Sequence, residues 1–131
     1  MEKVLIPSEY RGWWRILETS QWVNKYLDEN GTALMSITGE DDCLRMFSLL
    51  AESIFAPTKA GLSFTWQGSW EWDPVSGTGR VKLGKDGLLK GFIKIHAGDE
   101  STFLAKRTEE PLEPIPPPLD YRDKWGRRRR Y

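Results

Sequence analysis

Between Leu62 and Trp72 the chain alternates without a break. Leu62, Phe64, Trp66, Gly68, Trp70 and Trp72 are apolar or glycine, and every position between them is polar or charged. A period of two held this long predicts a β-strand with one face on a core. A helix would scatter the large rings around its circumference. Gly68 predicts a bend or bulge within the strand. Downstream, Asp73-Pro74-Val75-Ser76-Gly77 predicts a turn, and Gly79-Arg80-Val81-Lys82-Leu83 alternates again. Gly84-Lys85-Asp86-Gly87 carries the Asp-Gly hairpin signal. From Leu88 to His96, Leu89, Gly91, Ile93 and Ile95 share one face, and Lys90, Phe92, Lys94 and His96 the other. Ala97-Gly98-Asp99-Glu100 turns the chain, and Ser101 to Thr108 forms a last strand. Strands at short spacing joined by Gly-rich turns indicate an antiparallel meander.

The first half carries a weaker pattern. Gly12 to Glu18 and Ala33 to Thr38 read as strands, and Trp22 to Asn30 as one or two helical turns ending at Asn30-Gly31. Residues 43–56 fit two periods. Leu44, Phe47, Leu50 and Ile54 lie at near-helical spacing behind the acidic run Glu40-Asp41-Asp42, whereas Cys43, Arg45, Phe47 and Leu49 would share a strand face. The flanking β segments favour two strands. The expected fold is therefore mostly β, a small antiparallel up-and-down β-barrel with one short helix near the N-terminus. The alternative is an α+β fold with a helix over residues 41–54.

Pro111, Pro114, Pro116, Pro117 and Pro118 exclude helix and sheet and favour polyproline II. The domain boundary is expected near Thr108, giving a barrel domain over residues 1–108 and a tail over residues 109–131. The chain of 131 residues has no net charge, but the charge is uneven. Glu109, Glu110, Glu113 and Asp120 make residues 109–121 acidic. Arg122, Lys124, Arg127, Arg128, Arg129 and Arg130 against Asp123 make residues 122–131 basic. Residues 1–108 hold 13 bases and 14 acids, so the body offers no bulk attraction to nucleic acid. One cysteine and one histidine exclude an internal disulfide and a Cys/His metal cluster. No apolar run is long enough for a signal peptide or a membrane span, and a cytoplasmic home is expected.

The order of features resembles the calycin group, which includes lipocalins and fatty-acid-binding proteins. Gly12 and Trp14 occupy the Gly-x-Trp positions on the first strand, and Arg107 is the late arginine of the last. The resemblance implies a barrel whose tryptophan closes one end with the arginine packed across it, a cation over an indole face. Phe64-Thr65-Trp66-Gln67-Gly68, Asp73 to Gly79 and Ile95 to Phe103 also resemble a set of small uncharacterised prokaryotic proteins, with Glu18 and Trp22 as the spaced pair before the meander. That set implies a short barrel and no function. It has a Gly-rich stretch where this chain has Cys43 to Phe55.

The chain carries neither a nucleophile elbow nor a phosphate-cradling Gly loop. His96 with Asp99, Glu71 and Asp73 is the candidate acid–base set, against the plainer reading of a half-exposed strand histidine beside a turn. Glu18 and Trp22 would reach the barrel interior, where a buried carboxylate needs a partner such as Arg15, Arg45 or Arg80, and such a pair marks either a ligand site, shared with Trp66, Glu71 and His96, or a structural latch. Seven tryptophans, with Trp66 on the core face, suit either a filled core or a pocket for a small apolar or aromatic ligand. In the tail, Arg127, Arg128, Arg129 and Arg130 with Trp125 suit nucleic acid, an acidic protein surface or anionic lipid, against the plainer reading of a solvated terminus. The expectation is a non-catalytic binding module without a cofactor, taking a small ligand inside or a protein partner outside. The alternatives are a small enzyme built on His96 and an adaptor working through the tail.

Overall fold

The computed structural model describes residues 5–116. Eight antiparallel strands follow one another around a closed barrel. They are β1 (Gly12–Thr19), β2 (Leu34–Ile37), β3 (Asp42–Met46), β4 (Leu49–Thr58), β5 (Gly61–Trp70), β6 (Asp73–Leu83), β7 (Leu89–Ile95) and β8 (Glu100–Thr108). Each pairs with the next, and β8 returns to β1 with Arg107 opposite Trp14. Closure removes the exposed edges that an open sheet would present.

The stretch over residues 42–58 is a hairpin, not a helix. Leu44 and Met46 point inward on β3, the chain turns at Phe47, and Leu49, Ala51, Ser53 and Phe55 point inward on β4. Inward positions are even before the turn and odd after it, so the near-helical set divides: Leu44 and Phe47 are buried, whereas Leu50 and Ile54 take outward positions. Phe47 holds a left-handed backbone there, φ 55°. Between Trp22 and Asn30 the helical turns reduce to one 3-10 turn over Asn24–Tyr26. A second 3-10 turn, Ser8–Tyr10, precedes β1.

Two turn assignments need correction. Asp73 to Gly77 lies in β6, and the reversal occurs at Glu71-Trp72, where Glu71 takes φ 58°. Pro74 is tolerated because it stands at the start of its strand. Gly68 makes no bulge, since β5 stays in register with both neighbours along its length. A Cβ there would strike the Leu50 carbonyl, so glycine allows the backbone of β4 to approach.

The interior is assembled from rings set against glycines. Trp66 pairs across the sheet with Gly77, Phe64 with Gly79, and Phe103 with Gly91. At each glycine a Cβ would collide with the partner's ring. Phe55 adds a ring beside Phe64, with centroids 5.0 Å apart. Ile16, Met35, Leu44, Leu89 and Ile93 are wholly buried around them. Omitting side chains opposite the rings lets a short barrel close over large aromatics at interior density.

Both ends are closed. At one, the Ser8–Tyr10 turn lies across the opening, Trp14 Nε1 donates to the Tyr10 carbonyl at 3.0 Å, and the Leu83 amide donates to Tyr10 Oη at 3.0 Å. The Arg107 guanidinium stands 4.4 Å from the Trp14 ring. At the other end, Trp22 packs against Phe47 and Trp70, with centroids 5.8 and 5.5 Å away. The connection carrying Trp22 is pinned by Asn24, whose side chain accepts from the Thr19 amide at 2.8 Å and donates to the Thr19 carbonyl at 3.1 Å. Arg15 grips Asp28 through two hydrogen bonds of 2.6 and 3.0 Å.

Candidate functional site

With inward positions occupied, the outward positions of β3 to β7 define the accessible surface. The register aligns Cys43 with Glu52, Glu52 with Gln67, and Gln67 with Ser76. His96 follows, its amide donating to the Ser76 carbonyl at 2.9 Å. These residues form one outward row across the four strands β3 to β6, ending at His96 in the turn after β7. A second row holds Ile54, Thr65 and Thr78. Ile54 is 71% exposed, an apolar spot amid small polar side chains. Together with Ile115 and Pro116, which arrive from the segment after β8, these rows line a groove of about 660 Å³. Pro116 also borders a second groove of about 650 Å³, lined by Arg45, Leu50, Glu29 and the exposed Trp72.

The histidine and the cysteine in this row do not form a reactive pair. Four strand spacings of about 4.8 Å separate them along the sheet. Burial raises the Cys43 pKa, and the Asp42 charge adds to the rise, while a hydrogen bond from Ser36 and the charge of Arg45 oppose it. The group is held as a thiol, not as the nucleophilic thiolate. Exposed His96 places Nδ1 3.3 Å from Ser76 Oγ. Among the described residues no carboxylate lies within ion-pair reach of its ring, and Ser76 is its side-chain partner. Asp99 accepts from the Ile95 amide through its backbone oxygen, 2.9 Å, a turn contact. Glu71 lies in the β5–β6 turn, its amide donating to the Ser48 carbonyl at 3.1 Å.

The pair expected inside the barrel separates. Glu18 is exposed, because a register shift between Ile16 and Glu18 turns it out of the alternation. It needs no buried partner, and the Arg15 expected to serve it binds Asp28. Trp22 is half-buried at the aromatic end. Trp66 is interior, 3% exposed, with Nε1 donating to the Thr78 carbonyl at 3.2 Å. Trp125, Arg127, Arg128, Arg129 and Arg130 lie outside the described residues. Among the described residues no three His, Cys, Asp or Glu side chains gather in a metal-binding group, and no helix is long and apolar enough to cross a membrane.

The grooves were not foreseen from sequence. Their rows run across strands, so membership depends on register, which alternation along one strand does not specify. The available signal was the small polar face of β5, Ser63, Thr65, Gln67 and Ser69. Compared with known protein families, curated proteins and solved structures, the chain matches none of them.

Proposed function

We propose that this protein is a calycin-like barrel acting as a non-catalytic binding module, and that it meets a protein partner on its outer wall. The observation that carries this reading is the seating of Trp66, Phe64 and Phe103 on Gly77, Gly79 and Gly91. Rings occupy the volume that a ligand-carrying barrel of this size would leave open. The groove over Glu52, Thr65, Gln67 and Ser76 is one of the two concave surfaces on the outer wall. Its occupant is an extended proline-containing segment, since the chain's own Ile115 and Pro116 lie on its rim. The Trp14–Arg107 stack and the barrel's strand order support the calycin-like reading.

Two titrations test this reading. Adding a synthetic Pro-Leu-Glu-Pro-Ile-Pro peptide to the isotope-labelled protein should shift the backbone amides of Glu52, Thr65, Gln67 and Ser76 in saturable fashion. Adding fatty acids or small aromatic compounds should leave tryptophan fluorescence without a saturable change. One-to-one saturation by such a compound, with no response to the peptide, would return the function to the barrel interior.

A further inference from the structure

The outward face of β6 and β7 beyond the groove gathers positive charge that the chain's neutral composition conceals. Lys82 on β6 stands directly opposite Lys90 on β7, and Arg80 directly opposite Phe92. All three bases are exposed. Lys94 continues the patch along β7, with Glu100 at 3.6 Å. Lys85 lies in the connecting turn, where Asp86 is engaged by the Leu88 amide at 3.0 Å. Among the described residues no carboxylate pairs with Arg80, Lys82 or Lys90.

Like charges directly opposite across an antiparallel pair destabilise a sheet. The Lys82–Lys90 pair therefore costs stability. An anionic partner would turn that cost into attraction. Arg80 defines the partner further. Its guanidinium carbon lies 4.2 Å from the Phe92 ring centroid, a cation–π contact that holds the group against the wall. A flat guanidinium presents a stacking face for an unpaired base. Around it, Arg80 and Lys82 repeat at the two-residue strand spacing of about 6.7 Å, with Lys90 beside them. A planar stacking group ringed by flexible ammonium groups suits bases and phosphates together. A lipid surface would call for a protruding apolar anchor, and Phe92, the ring at the centre of this patch, is half-buried beneath Arg80.

We propose that the wall formed by Arg80, Lys82, Lys90 and Lys94 binds single-stranded nucleic acid, through phosphate contacts of the lysines and base stacking on Arg80. The site adjoins the groove at Lys94, which stands opposite Thr78, and does not depend on the reading given above.

The test follows fluorescence anisotropy of a short fluorescein-labelled oligouridylate at low salt, with the full chain. Five variants are compared with the parent: Lys82→Glu/Lys90→Glu, Lys82→Glu, Lys82→Gln, Arg80→Lys, and one with Arg127 to Arg130 all changed to Gln. The double reversal should weaken binding about tenfold or more, and Lys82→Gln should lower the log–log salt slope by about 0.7. Arg80→Lys, which keeps the charge but loses the flat face, should weaken binding at an unchanged salt slope. The tail variant should retain the part of the affinity that depends on Lys82. Lys82→Glu alone should also raise the thermal midpoint, because it replaces repulsion across the sheet with attraction. A site kept only for stability would not move these two readouts in opposite directions. Unchanged affinity in the double reversal overturns the proposal, as does complete loss in the tail variant alone. Equal charge-dependent binding to phosphatidylserine vesicles overturns it in favour of a membrane. Should Lys82→Glu/Lys90→Glu fail to fold, Lys82→Gln and Lys90→Gln read the same two quantities.

Discussion

Arg107 lies over Trp14 with its guanidinium carbon 4.4 Å from the indole, and the same guanidinium donates to the carbonyls of Glu9 and Arg11 at 2.6 and 2.7 Å. One side chain thus joins the last strand, the first strand and the turn that covers the barrel's end. Trp14 is fully buried and gives its own donor to Tyr10. The two residues face each other in register at the seam where β8 meets β1. The seam is the place where barrel closure must be specified, because the strands it joins lie far apart in sequence.

Replacing Arg107 with Ala should lower unfolding stability by about 1–3 kcal/mol, through loss of the cation–π contact and two charge-assisted hydrogen bonds. Urea denaturation measures the change. Arg107→Lys should recover only part of it, since an ammonium cannot reach both carbonyls and lie flat on the indole together. Full recovery by Lys would show that charge alone, and not the planar fork, holds the seam.

The ring-on-glycine pairs lead to a rescue experiment. Gly91→Ala puts a Cβ into the Phe103 ring and should destabilise by about 1–3 kcal/mol. Shrinking the ring in the double variant Gly91→Ala/Phe103→Leu should cost less than the two single changes summed, because the clash is removed. Strict additivity in a double-mutant cycle would mean that the ring and the glycine do not constrain each other.

The same pairs show what was legible in the sequence. The period-two run gave β5 its inward face from Leu62 to Trp70, though Trp72 falls in the turn and is exposed, and the glycines at 77, 79 and 91 were visible, but as turn or strand residues. That each lies opposite a ring is a property of register, which becomes available only once β5 is set against β6 and β7 against β8. The Gly12, Trp14 and Arg107 pattern did locate the seam. The hairpin at Phe47 was ambiguous because inward parity reverses there. Glu18 was misplaced because a bulge interrupts alternation in β1 without a glycine or proline to mark it. The basic wall was hidden for a related reason: Lys82 and Lys90 are eight positions apart in a neutral chain, and folding brings them face to face.

Asp42 is a buried carboxylate with a structural role. It is 2% exposed and accepts hydrogen bonds from Ser36 Oγ, the Thr38 amide, Thr38 Oγ1 and the Gly39 amide, at 2.8 to 3.0 Å. The four donors fasten the β2–β3 turn. Asp42→Ala should cost about 2–4 kcal/mol, since several buried donors lose their acceptor at once. Asp42→Asn should fall between, because the amide keeps one acceptor oxygen and turns the other into a donor facing donors. Thermal unfolding of the two variants checks the order, and equal losses would mean that the second oxygen contributes nothing.

Cys43 gives a prediction in reactivity and in pH dependence. Burial, its largest perturbation, raises the thiol pKa in the folded protein. Native protein should therefore react slowly with a disulfide reagent at mildly alkaline pH, and quickly once urea exposes the thiol. The linkage has a definite sign. The unfolded chain, with a thiol pKa of about 8.5, releases its proton first as pH rises. The stabilising contribution is full below that value and is lost as pH climbs through the higher folded value. Cys43→Ala should then show a smaller fall in urea midpoint between neutral and strongly alkaline pH than the parent does. The comparison isolates Cys43 from the lysines and tyrosines that titrate in the same range, because both proteins carry them equally. An identical alkaline fall in the two would place the thiol in open solvent and leave the polar row on the groove floor with a reactive group at one end.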